Sequence, residues 1–343
     1  MNVSPETLHK ASSRTILGID FYLTSKYRLA KMLTRADSIA KERGHKALFN
    51  ISPRTFVFPG DFQEWRAAAH AEPNTIWISK PGDGARGEGI YLVTNVDAVK
   101  PEQNLVLQEY IANPHLLGGY KYTLRVFALV TSLDPLRAWI FPDGLTKMAT
   151  QLFTTDRASL DNLFIHLTNP GVLRRDKSAD FAAQRITHRE YRKRLRQEAI
   201  DDARLFQRIH TIVAKSLLAV REPALQVLQR STEQGIETNG QFMLIGYDIL
   251  VDASLRPWII EANAGPSLET EAGNNTVSGK HERQLKERIA TDTLRLAGSL
   301  PPGKVRFESL FPSAAMLDWL PCYEVVREHD QADLKSMHEE LYV

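Results

Sequence analysis

The sequence predicts an α+β protein of antiparallel hairpins and separate helices, and three stretches carry that prediction. Residues 242–251 and 257–262 are strand-like in composition and are joined by the polar, turn-forming residues 252–256. Residues 75–93 (TIWISKPGDGARGEGIYLV) read as strand, glycine-rich loop, strand. Leu205, Ile209, Val213, Leu217 and Val220 recur at helical spacing, as the apolar stripe of a core helix does.

A chain of 343 residues is long enough for two or three lobes with substantial cores. With 43% hydrophobic and 24% charged residues, its composition is that of a soluble globular protein and argues against global disorder. No apolar run is long enough to span a membrane, and residues 1–15 lack the apolar region of a signal peptide, so a cytoplasmic protein with no membrane partner is expected. The single cysteine, Cys322, excludes an internal disulfide and a cysteine zinc cluster, and it fits a reducing compartment. A net charge of +2 gives no overall signal for nucleic acid. Residues 174–196 differ locally: nine Lys/Arg (Arg174, Arg175, Lys177, Arg185, Arg189, Arg192, Lys193, Arg194, Arg196) stand against three acids (Asp176, Asp180, Glu190), a balance of +6. Two readings of that patch stand, a steering surface for an acidic partner and a solvated helix face.

Along the chain, Thr24 or Ser25 is placed to N-cap a scaffold helix whose stripe is Leu29, Met32, Leu33, Ala36 and Ala40, with Gly44 as its stop. Residues 47–59 read as a short apolar strand, a proline-marked break and a second extended piece, followed by helix over 61–71. A lobe boundary is placed at Pro73-Asn74. In the glycine hairpin, Lys80 ends the first strand, and Gly82, Gly84, Gly87 and Gly89 let the backbone close over an anion while Arg86 adds charge. The loop is not a Walker loop, because GK[ST] is missing, nor a dinucleotide fingerprint, because strand follows the glycines. A plain flexible hairpin is the competing reading.

Residues 105–111 (LVLQEYI) form a buried-type strand ending at Gln108 and Glu109, a place where adenine can dock against backbone between lobes. Residues 122–132 and 136–141 make a second hairpin around Asp134-Pro135. Within it, Arg125 requires an anionic ligand or an internal carboxylate, and Lys121, on the same face by even spacing, favours the ligand. Residues 143–149 read as a turn that presents Lys147. His166, Thr168 and Asn169 cluster ahead of a bend at Pro170-Gly171. The core helix of the 187–229 region is expected to end before Pro223, and another helix over 282–297 is stopped by Gly298 and Pro301. In the tail, Leu310, Phe311, Leu317, Trp319 and Leu320 can pack on the core or form an interface.

The hairpin near residue 250 carries the chemistry. If Leu250 pairs with Ile259, Asp248 stands opposite Glu261, with Asn263 further along the same face. Opposed like charges are unfavourable unless a cation lies between them, and an all-oxygen set suits Mg²⁺. The alternative is a structural hairpin whose acids pair with arginines.

The order of IWISKPGDGARGEGI, LQEYI, KYTLR, DGLTKMAT, HLTN, YDILVD and WIIEANAGPSL resembles the tubulin tyrosine ligase-like family, as do LTSKYRLAKML and FNISPRTFVFP upstream. Together these cover about residues 16–298. The resemblance implies an ATP-grasp fold in which two α+β lobes close over ATP. It implies lobes over residues 1–74, 75–112 and 113–300 and a tail over 301–343. It also implies an ATP- and Mg²⁺-dependent ligase that activates a carboxylate as an acyl phosphate and joins a free amino acid to an acidic protein or peptide, such as a tubulin-like tail. Position by position, it puts Lys80, Arg86, Gly87 and Lys121 at phosphates and ribose, Gln108, Glu109, Tyr110 and Ile111 at adenine, and Thr168 and Asn169 near the nucleotide. Asp248, Glu261 and Asn263 fall on the magnesium ligands, Arg125 and Lys147 on catalytic and amino-acid-carboxylate positions, and His166 and Arg174 on the substrate side.

Several positions depart from the family pattern. Thr123 stands where the family has aspartate in Lys-Phe-Asp-x-Arg, and Lys147 where arginine is usual. Pro170-Gly171 replaces Tyr-Ser, and Arg174 stands near a usual lysine. Ala264 occupies the position of a histidine in many glutamate-adding members. These gather on the amino-acid side of the site, which keeps two alternatives open: a small-molecule carboxylate–amine ligase, and a nucleotide-binding pseudoenzyme that recognises an acidic partner. The founding ligase's extra N-terminal domain is expected to be missing.

Overall fold

The computed structural model describes residues 16–42, 44–45, 48–82, 87–102, 104–180, 183–236, 238, 240–269, 276–298, 305 and 308–310. Its helices are α1 Leu17–Leu23, α2 Lys26–Glu42, α3 Phe62–Ala71, α4 Leu163–His166, α5 Pro170–Leu173, α6 His188–Gln197, α7 Asp202–Glu233 and α8 Val277–Leu296. Its strands are β1 Thr55–Val57, β2 Trp77–Pro81, β3 Tyr91–Val93, β4 Leu105–Glu109, β5 Leu116–Leu117, β6 Tyr120–Leu133, β7 Leu136–Met148, β8 Arg185–Thr187, β9 Met243–Val251, β10 Pro257–Ala264 and β11 Glu308–Ser309.

The strands form two antiparallel sheets, as an α+β protein of hairpins should. The smaller has the order β1–β4–β2–β3, and the larger runs β10–β9–β6–β7–β11 with β5 on β6 and β8 on β7. One face of the small sheet packs on α3 through Phe56, Trp77 and Leu107 against Trp65 and Ala69. In the large sheet, period-two alternation sends Tyr122, Leu124, Val126 and Val130 of β6 into the main core with Ile209, Val213, Leu217 and Val220 of α7. The other face of β6 is split. Phe127 and Leu129 are covered by Leu285 and Ile289 of α8, whereas Lys121, Thr123 and Arg125 lie beyond that cluster, at the site.

The structure corrects several local readings. Helix α1 carried no signal in the sequence. Residues 48–54 form no strand, and only Thr55–Val57 of the 47–59 stretch joins a sheet. That sheet therefore draws β1 from before Pro73-Asn74 and β2 to β4 from after it. Ser25 is the cap of α2, its Oγ accepting from Arg28 N at 3.4 Å. Residues 143–148 continue β7 and make no turn, which requires glycine at 144: a Cβ there would lie 2.3 Å from the Arg125 carbonyl oxygen. Pro170 starts α5 from its first turn, where its missing N–H costs nothing.

Helix α7 runs through Pro223 to Glu233 and does not end before the proline. The lost backbone hydrogen bond is offset by burial beyond it, of Ala224 and Leu225, with Val227 and Leu228 also packed on the core. In the tail, β11 pairs with β7 and Leu310 joins the main core, whereas Phe311, Leu317, Trp319, Leu320 and Cys322 lie outside the described residues. No described helix is long and apolar enough to cross a membrane.

Helices α1 and α7 touch backbone to backbone at Gly18, where an added Cβ would lie 2.3 Å from the Ala224 carbonyl oxygen and 2.5 Å from its Cα. Gly18→Ala is therefore expected to lower the unfolding free energy by about 1–3 kcal/mol through overpacking. Urea denaturation measures this, and an unchanged midpoint would contradict the close crossing.

Candidate functional site

The hairpin of β9 and β10 begins in a register one residue away from the expected one: Leu250 faces Trp258, and Ile259 faces Ile249. A bulge between Ile259 and Glu261 then inserts Ile260, so that Glu261 opposes Asp248 and Asn263 opposes Gly246. Without the extra residue, the alternation would turn Glu261 to the other face of the sheet. The bulge brings the two carboxylates together.

Asp248 is 4% exposed and is held by Arg125 of the neighbouring strand β6 and by Lys147 of β7, the next strand along the sheet. Arg125 Nε and Nη2 donate to its two carboxylate oxygens at 2.8 and 2.9 Å, and Lys147 Nζ donates to Oδ1 at 2.8 Å. Burial pushes the Asp248 carboxyl up, but Arg125 and Lys147 outweigh it and hold the group well below the usual carboxylate range. Of the two partners open for Arg125, this structure supplies the internal carboxylate. Gly246 makes room for it, since a Cβ there would meet Arg125 Cδ at 3.1 Å. Asn263 donates its amide nitrogen to the Gly246 carbonyl and to Glu261 Oε1, each at 3.3 Å, and Lys26 Nζ lies 3.5 Å from Glu261 Oε2. Helix α2, read from the sequence as scaffold, thus contributes its first residue to the site.

Two buried lysines, Lys80 of β2 in the small sheet and Lys121 of β6 in the large one, are held by neutral groups. Lys80 Nζ donates to Gln108 Oε1 at 2.6 Å, and the Gln108 amide donates in turn to Thr55 Oγ1 at 3.0 Å. Burial pulls the Lys80 ammonium down to about 8, against the opposing pull of Glu261. Lys121 Nζ donates to the Tyr110 hydroxyl at 2.9 Å and sits 4.0 Å from the centre of that ring. Burial, and then Lys80 beside it, lower Lys121 well below the ordinary lysine range. His166 fixes the direction of this chain. Its Nε2 lies 3.1 Å from the Ser159 carbonyl, which can only accept, and its pKa is lowered to about 4 by burial and by Lys121. The neutral ring therefore accepts the Tyr110 hydroxyl proton at Nδ1, over 2.9 Å, and leaves the Tyr110 oxygen to accept from Lys121.

These groups enclose an open cleft of about 630 Å³, lined by Lys80, Gln108, Glu109, Tyr110, Ile111, Lys121, His166, Thr168, Asn169, Asp248 and Glu261 among the residues singled out in the sequence. Thr123 lines it as well, its hydroxyl 2.6 Å from that of Thr168. Apolar walls come from Ile78, Ile90, Leu167, Leu250 and Ile260, none of which the sequence marks as a site residue. Arg125 and Lys147 stand behind Asp248 and do not line the cleft. Asn263 and Gly87 border an adjoining cleft, and at Gly87 a Cβ would lie 3.1 Å from that of Asn169. Glu109 turns its carboxylate to Arg54 at 3.3 Å. Arg174 is exposed at the end of α5, and Arg86 lies outside the described residues.

The basic patch is partly internal. Arg185 is buried against Glu282 at 3.0 Å, Arg192 and Arg196 both bind Asp202, and Arg194 pairs with Glu190 at 3.5 Å. Arg174, Arg175, Lys177, Arg189 and Lys193 are exposed, as is Arg196 despite its pairing with Asp202.

A family model for the tubulin-tyrosine ligase family matches residues 11–306. The chain belongs to the tubulin-tyrosine ligase family. It is 32% identical over 275 residues to a probable alpha-tubulin polyglutamylase of Tetrahymena thermophila, covering 74% of this chain and 62% of that protein. It is also 32% identical over 285 residues to a probable tubulin polyglutamylase of Caenorhabditis elegans, with 79% and 64% covered. Over 253 residues it is 28% identical to a tubulin polyglutamylase of Danio rerio, with 72% and 32% covered. The chain thus spans less than two thirds of the length of these relatives.

As a member of the tubulin-tyrosine ligase family the chain has an α+β, ATP-grasp-like fold, and its donor set suits the groups such a cleft takes. Among the described residues no three His, Cys, Asp or Glu side chains cluster as a metal site. Two carboxylates and one amide oxygen remain, and these hard donors fit a magnesium ion that completes its shell with water and phosphate. Lys80 and Lys121, buried on neutral partners, fit an anion.

The neutral state of buried His166 sets a pH dependence. Its folded pKa of about 4 lies below the unfolded value of about 6.5, so between the two the unfolded chain binds the proton. Burial also lowers His188 and His210 to about 4. The unfolding free energy is expected to be fully maintained above pH ~6.5 and to fall as the pH drops towards ~4. His166→Asn should flatten part of that slope in denaturant titrations at stepped pH, whereas a pH-independent wild type would contradict the neutral imidazole.

Proposed function

We propose that this chain is an ATP- and Mg²⁺-dependent ligase that activates a carboxylate as an acyl phosphate and joins a free amino acid to an acidic protein or peptide tail. The observation that supports it most is that one cleft is lined by two buried lysines with neutral partners and by the carboxylates of Asp248 and Glu261, the latter hydrogen-bonded to Asn263. Bound ATP would supply the phosphoryl group, and magnesium held by these oxygens would offset its developing charge.

In this reading Lys80 and Lys121 bind phosphate oxygens, the first aimed by Gln108 and the second by the Tyr110–His166 chain. Thr168, Asn169 and Gly87 border the same nucleotide, with Arg86 from the glycine loop. Ile78, Leu250 and Ile260 cover adenine against the backbone of residues 108–111. Asp248, Glu261 and Asn263 hold the metal. Arg125 and Lys147 keep Asp248 ionised and concentrate positive charge next to the reacting phosphate. The exposed cations Arg174, Arg175, Lys177, Arg189 and Lys193 would steer an acidic acceptor such as a tubulin-like tail.

A second reading, a nucleotide-binding pseudoenzyme, draws on two observations. Both oxygens of Asp248 are engaged by cations, and Thr123 offers a hydroxyl closed on Thr168 in place of a carboxylate. One assay separates the readings: ADP release with ATP, magnesium, each amino acid in turn and mixed acidic acceptor peptides, in wild type and Glu261→Gln. The ligase reading expects amino-acid-dependent ADP and a mass gain on the peptide, with a loss of at least about 100-fold in Glu261→Gln. Turnover without any peptide would assign a small-molecule acceptor. ATP binding with no turnover would favour the pseudoenzyme.

A further inference from the structure

A separate open cleft of about 1130 Å³ is bounded by β7, β8, the start of α6 and α8, and it shares no lining residue with the two clefts of the site. The buried ion pair of Arg185 and Glu282 lines it, together with Leu145, Ile186 and Leu285. Val277, the first residue of α8, lines it too and is 72% exposed. The cleft thus offers apolar surface as well as charge.

Its exposed charge is positive. Arg189 of α6 and Arg288 of α8 line the cleft and are exposed, and among the described residues neither pairs with a carboxylate. The acids that line it are already engaged. Asp143 Oδ1 accepts from the Gly144 and Arg189 backbone amides at 2.9 and 3.3 Å, Glu190 pairs with Arg194 at 3.5 Å, and Glu282 pairs with Arg185 at 3.0 Å. Two guanidinium groups beside apolar walls suit a segment that alternates acids with apolar residues.

The chain itself supplies such a segment. Residues 311–343 hold seven Asp/Glu against two Lys/Arg, a balance of −5. Within them residues 324–334 read EVVREHDQADL, with Glu324, Glu328, Asp330 and Asp333 against Arg327 and with Val325, Val326 and Leu334 between. The large sheet fixes where the tail departs: β11 pairs with β7 at Ile140 and Trp139, and Leu310 N donates to the Ala138 carbonyl. Ala138 and the cleft residue Asp143 are five positions apart on β7, at most about 17 Å. β11 runs away from the cleft, but residues 311–323 span up to about 45 Å and allow a return before Glu324.

We infer that residues 324–334 dock in this cleft of their own chain, with their acids on Arg189 and Arg288 and with Val325 and Val326 against Ile186, Val277 and Leu285. Docked there, the segment covers Arg189, one of the cations assigned to steering an acidic acceptor. The assignment rests on charge and connectivity, and it does not depend on the ligase reading.

The test places a nitroxide on Cys322, the single cysteine, and reads paramagnetic broadening of methyl signals in the 343-residue chain against the reduced label. Ile186, Val277 and Leu285 are expected to lose most of their intensity. They should recover it in the double variant Arg189→Gln/Arg288→Gln, and also at about 1 M salt, where screening shortens to about 3 Å. The methyl shifts of Leu107 and Ile209, one in each main core, should stay in place in the double variant, which a loss of fold would not allow. Broadening confined to other methyls would overturn the docking, as would broadening that persists in the double variant. Broadening that appears only between separate spin-labelled and isotope-enriched molecules would place the segment on a second copy and overturn it too. No broadening, with the same methyls shifted by an added poly-glutamate peptide, would give the cleft to an external acidic partner instead.

Discussion

Asp248 is ionised at a depth where a lone carboxylate would be protonated, and the arrangement that permits this ties three strands of the large sheet together. Asp248 comes from β9, Arg125 from β6 and Lys147 from β7, each adjacent to the next in the sheet. Removing one member of such a buried set strands the others, at a cost of about 3–5 kcal/mol. Close approach is built around it. Glycine at 246 leaves space for the arginine, and glycine at 144 lets β7 run against β6 and under His188. The Ile260 bulge then turns Glu261 to the same side.

The cleft also carries the complementary problem, two buried ammonium groups, Lys80 on the small sheet and Lys121 on β6 of the large one, with no carboxylate in hydrogen-bond contact among the described residues. Gln108 near the end of β4 and Tyr110 just beyond it hold them in place. The cleft is therefore charged before any ligand enters, with Lys80 on the small sheet and Lys121 on the same large sheet as the carboxylates of Asp248 and Glu261. That is the arrangement needed to accept phosphates together with a divalent cation. The fold keeps this end of the sheet open by placing α8 over Phe127 and Leu129, further along β6.

Much of this was legible in the sequence because strand alternation and turn chemistry are local. The glycine hairpin and the 122–141 hairpin follow from alternation and from turn residues such as Asp134-Pro135, whereas the opposition of Asp248 to Glu261, expected from a pairing of Leu250 with Ile259, is reached through the bulge. The register around Leu250 was not legible, because a bulge adds a residue without changing the composition of the strand. Pro223 was read as a stop because its local cost is visible in the sequence, whereas the burial of Ala224 and Leu225 that offsets it is not. The patch over 174–196 carries a balance of +6 in the sequence, but the partners of Arg185, Arg192 and Arg196 are Glu282 and Asp202, which lie outside that segment. Lys26 looked like one more charge on a scaffold helix. Its place beside Glu261 is a tertiary fact.

The central claim is that the cleft holds its lysines in wait for an anion, and proton linkage tests it most directly. In the free protein burial holds Lys80 at about 8 and Lys121 well below the usual lysine range. A bound phosphate favours the charged forms, so nucleotide binding should draw protons from solution near that pH. Titration of ATP with magnesium by calorimetry at a pH near the Lys80 value, in buffers of different ionisation enthalpy, counts those protons. Net uptake that shrinks in Lys80→Met is the predicted result, and tight binding with no proton exchange, or with release, would contradict the account.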